Sequence, residues 1–401
     1  MANMRNKLII FTALTVTLST GTVCLAAAPT AGAAGSTASI SAAAEGTGSV
    51  TSQYSIIGDQ TLNLDQVLGY IEKNNIQIKS KDQKILLYQR QYDRDSMNAT
   101  LIKDSDTSEV NYPRGQYVNI KLQTDVIPKV DDQNIKDAKH DREDSLQNMK
   151  FTVEKQYMSA LTCQDQINTI DAQIENVDQQ IEQTKEKIEQ GVLTSDALES
   201  LNVQKSQFQA SLNTPESQLQ QNLLSIKQAI NMDLDSELTL TPAQKEYKKF
   251  DDGNIANRIE SAVKNDYDIG KINNNLAILN IKEDIYKQYS YNDATGEVST
   301  GLSIQDLQNS LADTELNLKL GLWNDYYNLK NLEDNVAVEN AKVASAQANY
   351  DTILSKVKLG TEVQLQADSA KLALDSELVN LKNAQNDYME AVQQFQYNLE
   401  N

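Results

Sequence analysis

The sequence predicts an all-α chain of long antiparallel coiled-coil helices arranged in two tandem repeats. Three observations lead there: an apolar seam with heptad spacing, a register shift that lays the hairpin of the second half of the chain on that of the first without gaps, and a composition poor in aromatic and turn-forming residues. The 401 residues are 40% hydrophobic but only 6% aromatic, with five prolines and fifteen glycines. That balance is too apolar for disorder, and too lean in aromatics and turn formers for a compact enzyme of this length. A formal charge of −20, from 56 acidic against 36 basic side chains, repels phosphate backbones and anionic headgroups. It disfavours nucleic-acid binding and polybasic membrane anchoring, and points to cationic or neutral partners.

The seam is clearest over Ala160, Cys163, Ile167, Ile170, Ile174, Val177, Ile181 and Ile188. Spacings of three and four alternate along it, with Thr184 skipped before Ile188, which is the period of a supercoiled helix. The residues between are Gln, Glu, Asp, Asn and Lys, so a single such helix is unstable alone and must pack in a bundle or ring. Thr194 and Asp196 mark the start of the next helix. Its stripe runs through Leu198, Leu201, Phe208, Leu212, Leu219, Leu223, Ile226 and Ile230. Pro215 falls inside it, where it removes a hydrogen bond at a cost of about 3 kcal/mol and bends the rod.

A shift of 169 residues superimposes Gly191 on Gly360, Tyr157 on Tyr326, Lys187 on Lys356, Ser200 on Ser369 and Leu212 on Leu381. It also carries Val153, Ala160, Cys163, Ile167 and Ile174 onto Leu322, Leu329, Leu332, Val336 and Val343. Each unit therefore holds a helical hairpin tipped by a glycine, which takes the left-handed cap without steric cost. Upstream, a shift of 191 lays Leu64, Leu68, Ile71, Lys73, Asn74 and Ile78 on Ile255, Ile259, Ala262, Lys264, Asn265 and Ile269. The two shifts differ by 22 residues, which places an insertion within residues 98–148. There Tyr117 to Thr124 alternates polar and apolar, the pattern of a strand, after a turn-like Tyr112-Pro113-Arg114-Gly115. The second unit has only Tyr289 to Ser299, with a turn at Asp293 to Gly296, room for two stubby strands. The division expected is thus a first repeat over 60–240, with a short β insertion near 107–130 and a tip at 191, and a second over 241–401, with a very short insertion near 289–300 and a tip at 360.

The N-terminus reads as an export signal over residues 1–34. Arg5 and Lys7 precede the apolar run Leu8 to Leu25, and small-residue cleavage sites follow at Ala26 to Ala28 and Ala31 to Ala34. Val23 stands before Cys24 where a lipoprotein signal needs a small residue, so lipidation is not expected. Residues 35–59, rich in Ala, Ser, Gly and Thr, read as a flexible tether. With the signal removed, Cys163 is the remaining thiol, so the core holds by packing.

No catalytic constellation emerges. His140, the single histidine, sits in the run Lys139-His140-Asp141-Arg142-Glu143-Asp144, read as a solvated helix start. Asp131-Asp132 and Asp251-Asp252 lack the glycine-spaced oxygen ladder of a calcium loop and read as acids at helix starts. Cys163 falls on the seam as a small core residue, and Tyr157, Tyr326, Tyr350 and Trp323 have the spacing of packing residues. No cofactor, metal site or enzymatic activity is expected.

Leu62-Asn63-Leu64-Asp65-Gln66-Val67-Leu68, followed by Ile71 and Asn74-Asn75, resembles the opening helix of the TolC-like outer-membrane efflux proteins, with Asn75 where that family has proline. Ile255 to Asp266 is similar again. Both openings lead to Tyr157 or Tyr326 and then to Gly191 or Gly360, so the resemblance spans roughly residues 60–401 in two copies. It implies an α-helical barrel protomer, a homotrimer whose chains each give two hairpins to a hollow cylinder, and a short or vestigial β insertion in each repeat. It also implies a membrane-fusion adaptor and an inner-membrane pump docking on Gly191, Val192, Leu193 and Thr194 with Leu359, Gly360, Thr361 and Glu362. Asp196 and Asp368 are the candidate pore-entrance acids. The function so implied is an efflux or secretion duct in the cell envelope, in the outer membrane where the cell has one and otherwise at the extracytoplasmic surface. The competing reading is a structural coiled-coil spacer without a pore.

Overall fold

The computed structural model describes residues 58–105, 109–112, 115–290 and 294–400. The export signal and the tether up to residue 57 lie outside the described residues. Repeat 1 runs as strand β1 (Gln60–Leu62), helices α1 (Leu64–Asn74), α2 (Ile76–Asp104), α3 (Gln116–Lys121), α4 (Ile127–Glu189) and α5 (Asp196–Ala229), then strand β2 (Leu238–Leu240). Repeat 2 runs as α6 (Ile255–Asn265), α7 (Tyr267–Tyr289), α8 (Thr295–Lys358) and α9 (Gln364–Glu400). At about 1.5 Å per residue, the 63 residues of α4 make a rod of about 95 Å.

Corresponding elements begin at equivalent positions. α1 passes into α2 at Asn75, whose side chain accepts from the backbone N–H of Gln77 and Ile78 and donates to Ala229 O at 2.8 Å. α6 passes into α7 at Asp266, the residue 191 positions on, whose carboxylate accepts from the N–H of Asp268 and Ile269. An Asx cap on the second helix therefore makes the break here, by satisfying the donors that its first turn leaves open.

The strands expected from the insertions are helical instead. Tyr117 to Lys121 belongs to α3, and Leu122–Val126 is a π-helical turn that joins α3 to α4. Pro128 lacks the N–H that an α-helix would direct to Thr124, and the wider turn lies just before it. Val118, Leu122 and Val126, spaced by four, pack on Ile278, Ile281 and Ile285 of α7. In repeat 2, Glu297 to Thr300 forms the start of α8. A Cβ on Gly296 would run into the Tyr286 ring, so glycine permits the close return of α8 on α7. The 22 extra residues of repeat 1 are distributed accordingly. Six lengthen α2 over α7 (29 against 23), six lie in the connector, and ten extend the returning helix.

Among the described residues the β structure is the parallel pairing of β1 with β2, Gln60 opposite Leu238 through Leu62 opposite Leu240. It clasps the two ends of repeat 1. Beneath it a core of Val67, Ile71, Ile78, Leu146, Tyr157, Ile226 and Ile230 is nearly sealed from solvent. The second core gathers Phe250, Ile259, Leu322, Leu329, Tyr388 and Phe395. α4 packs on α2 and α5 in its own repeat and on α7 and α9 of the other, whereas α8 packs on α6, α7 and α9 of its own. α5 continues through Pro215, which is buried. The charged run at His140 lies inside α4, about three turns past its first residue Ile127 and not at a helix start.

Candidate functional site

Both tips are built by the same hydrogen bonds. At the first, Gly191 N donates to Ile188 O (2.9 Å) and Val192 N to Lys187 O (2.8 Å); at the second, Gly360 N donates to Val357 O (2.9 Å) and Thr361 N to Lys356 O (3.0 Å). This paired closure is the Schellman motif, which satisfies the last carbonyls of a helix and needs a left-handed residue just past it. Gly191 and Gly360 supply it at φ of 72° and 71°. Open space surrounds the Cβ that either would carry, so the requirement for glycine is conformational and not steric. Lys187 in one tip, and Lys356 with Lys358 in the other, stand in the last turn, where a cation complements the helix dipole.

Gly191, Val192, Leu193, Thr194, Leu359, Gly360, Thr361 and Glu362 are all exposed. Leu359 is 78% accessible, Val192 67% and Val363 55%, an apolar content that a solvated turn does not need. Asp196 opens α5 and is exposed. Asp368 lies on the first turns of α9, half-buried, and accepts from Gln364 Nε2 at 2.9 Å. The 169-residue shift pairs Asp368 not with Asp196 but with Glu199, an exposed acid in the first turn of α5; Asp196 pairs with the buried Leu365. Glu199 is thus the acid that direct use of the repeat would have singled out. Next to Asp368, Ser369 donates to Asn176 Oδ1 at 2.8 Å and ties the two hairpins together near their tips.

The seam between repeats carries the other notable side chains. His140 stacks on Tyr267 with ring centroids 3.7 Å apart and lies 3.2 Å from Asp144; Tyr267 in turn donates to Asp137 at 2.8 Å. Lys382 pairs with Asp165 at 2.6 Å. Burial pushes the Cys163 thiol up, away from the reactive thiolate. Among the described residues no group of three His, Cys, Asp or Glu side chains is placed to hold a metal ion.

A cavity of about 460 Å³ opens where α4, α8 and α9 meet, lined by Phe151, Glu154, Lys155, Leu332, Asp387 and Glu390 among others. Burial raises Glu390 to about 7, offset in part by Lys245 and Lys155 and reinforced by Asp387 and Glu154. A carboxyl raised in the folded state binds more protons there than when unfolded. Its stabilising contribution is complete below about 4.5, the ordinary value, and is lost as pH rises through about 7. The urea midpoint of the native chain should therefore fall over that window relative to Glu390→Gln, in which this component is flat. Parallel curves for the two would show Glu390 to be solvated.

No protein-family model matches the sequence, and no curated protein is similar to it at the level of sequence. Solved structures are similar in fold. CusC, in structures that follow folding and transmembrane channel formation, superimposes with a TM-score of 0.63 over 84% of this chain and 91% of its own, at 10% identity. The Campylobacter jejuni CmeC outer membrane channel gives 0.61, covering 84% and 85% at 11% identity. The outer membrane protein VceC of Vibrio cholerae gives 0.59, covering 83% and 95% at 9% identity. The fold is TolC-like. The likeness spans more than four-fifths of each chain, and the TolC-like fold includes both repeats and both hairpins. Its end opposite the tips is the part where the expectation failed. Among the described residues of this TolC-like fold, no strand approaches the roughly 9–11 residues needed to cross a bilayer.

Proposed function

We propose that the chain is the subunit of an export duct of the cell envelope, a homotrimer whose six hairpins enclose a channel for small molecules or polypeptide. One observation carries the reading most directly: two hairpins of matched register end in identical Schellman turns that present apolar side chains to solvent. A spacer has no need of paired tips, whereas a partner that grips a ring of them does. In this reading Gly191 to Thr194 and Leu359 to Glu362 receive a membrane-fusion adaptor and an inner-membrane pump. Glu199 and Asp368 stand with Asp196 as acids near the channel entrance, where they favour cations. The chain itself does no covalent chemistry, and energy comes from the pump.

One observation favours the second reading, a coiled-coil spacer: the segments expected to be strands are helical. The two are separated by the absolute mass in solution, from light scattering after size exclusion, together with end-on images of the particles. A trimer with a hollow centre is the expected result. A monomer, or a solid rod, replaces the duct by the spacer.

A further inference from the structure

Polar side chains cross the contact between α2 and α4 as a series of rungs. Toward α1, Lys81 pairs with Asp141 at 2.8 Å and Arg142 with Asp82 at 2.5 Å. Toward the other end of α2, Lys103 pairs with Asp125 of the π-helical turn at 3.3 Å. Each of these joins a base to an acid. The rung between them does not: Gln91 donates to Asp131 Oδ1 at 3.2 Å, and the Asp95 carboxyl faces that of Asp131 within hydrogen-bonding reach. Asp131 is 3% accessible, and its Oδ2 has no hydrogen-bond partner among the described residues. Two carboxylates offer each other only lone pairs, so the contact is a hydrogen bond only while one of them carries a proton.

The proton belongs on Asp131. Arg94 donates to both oxygens of Asp95, at 2.8 and 3.0 Å, and holds that carboxyl below its ordinary range. Burial, with the Asp95 charge beside it, pushes Asp131 up. Asn134 on α4 supplies a weaker hydrogen bond. The charges on either side are engaged elsewhere: Asp132 with Lys136 on α4, Asp125 with Lys103 and Lys121, and Lys271 and Tyr267 of α7 with Asp137. The rung matters because little else holds the middle of α2. The buried residues of that helix are Ile78 and Ala99, and Leu86, Leu87 and Met97 between them are exposed.

We propose that Asp95 and Asp131 form a proton-dependent clamp, closed by a hydrogen bond from the Asp131 carboxyl to Asp95, which holds the far half of α2 against α4 in acid and releases it as the pH rises. When the proton leaves to water, two like charges face each other across a sealed contact, and the rung repels where those on both sides attract. A carboxyl raised in the closed state binds more protons there than in the open one. Its closing contribution is therefore complete below the ordinary carboxylate range and is lost as pH rises through the raised value. The clamp lies within one chain and is the same whether that chain serves a duct or a spacer.

The test is amide exchange in the full chain, divided by the intrinsic rate at each pH. Over residues 85–101, protection should fall as pH rises from about 4, by up to about ten-fold per unit as one proton per opening requires, and then level off. Over residues 79–84, beside the base–acid rungs, it should stay flat. Asp131→Asn puts an amide donor where the proton was, so residues 85–101 should remain protected at every pH. Asp95→Asn donates from the other side and should flatten the curve in the same way, which keeps the test decisive if the first variant misfolds. Infrared spectra add a readout that packing alone would not move: the carbonyl band of a buried protonated carboxyl, present in the native chain in acid and missing from Asp131→Asn. Parallel curves for the native chain and either variant, or a native spectrum without that band, overturn the proposal. Protection at neutral pH that appears with added calcium also overturns it, and assigns the rung to a bound cation.

Discussion

Tyr157→Ala should lower the stability of the chain by about 3–5 kcal/mol, the range for deleting a large aromatic side chain from a sealed core. Tyr157 is fully buried. Its hydroxyl donates to Thr241 O at 2.6 Å, with Leu62 O a weaker second acceptor at 3.2 Å, so one side chain on α4 holds the ends of both strands. Tyr157→Phe keeps the ring and loses the hydroxyl, and about 1–3 kcal/mol is expected from the carbonyl left without its donor. The ratio of the two is the informative quantity, measured by urea unfolding. Equal costs would mean that the ring contributes little and the hydroxyl anchors the clasp alone. A cost below about 1 kcal/mol for the alanine variant would mean that the strand pair does not depend on α4.

The second large effect is local. Gly191→Val with Gly360→Val puts β-branched side chains at φ near +70°, which costs about 1–2 kcal/mol at each site. With nothing near either Cβ, the strain has no steric outlet and must be relieved by opening the Schellman turn. Amide exchange over residues 185–200 and 354–366 should accelerate by roughly ten-fold, as 1.4 kcal/mol of local stability predicts, while total helix content barely changes. Asparagine, which tolerates the left-handed region, should be milder than alanine, and alanine milder than valine. A collapse of the far-ultraviolet signal would make the tips folding elements and would remove the reason to regard them as a docking surface.

Much of this was legible in the residues. The heptad seam named the buried side of α4 correctly at Ala160, Cys163, Val177 and Ile181. Ile167, Ile170 and Ile174 are only half-buried. The two register shifts located the tips and the extra length of repeat 1, but they ran through Asn75 and Asp266, where the helices break. The strand reading of Tyr117 to Thr124 failed for a definite reason. Val118 and Leu122 satisfy an alternating pattern, but they also stand four apart, and Val126 continues the helical spacing beyond the window that looked like a strand. Pattern alone does not separate the two over eight residues.

The clasp between β1 and β2 bears on how the protein comes to exist. Glu237 N donates to Asp59 Oδ1 at 2.7 Å across 178 residues of chain, whereas the helical hairpins close on near neighbours. Contacts that far apart are slow to form, since the loop between them must be ordered first. If the chain is threaded across a membrane from its N-terminus, β1 is delivered long before β2 and waits with both edges open. During that interval the nascent protein is a ready template for the wrong strand. Within repeat 1 the order of assembly then runs from the tip inward, and the clasp is the contact that closes that repeat.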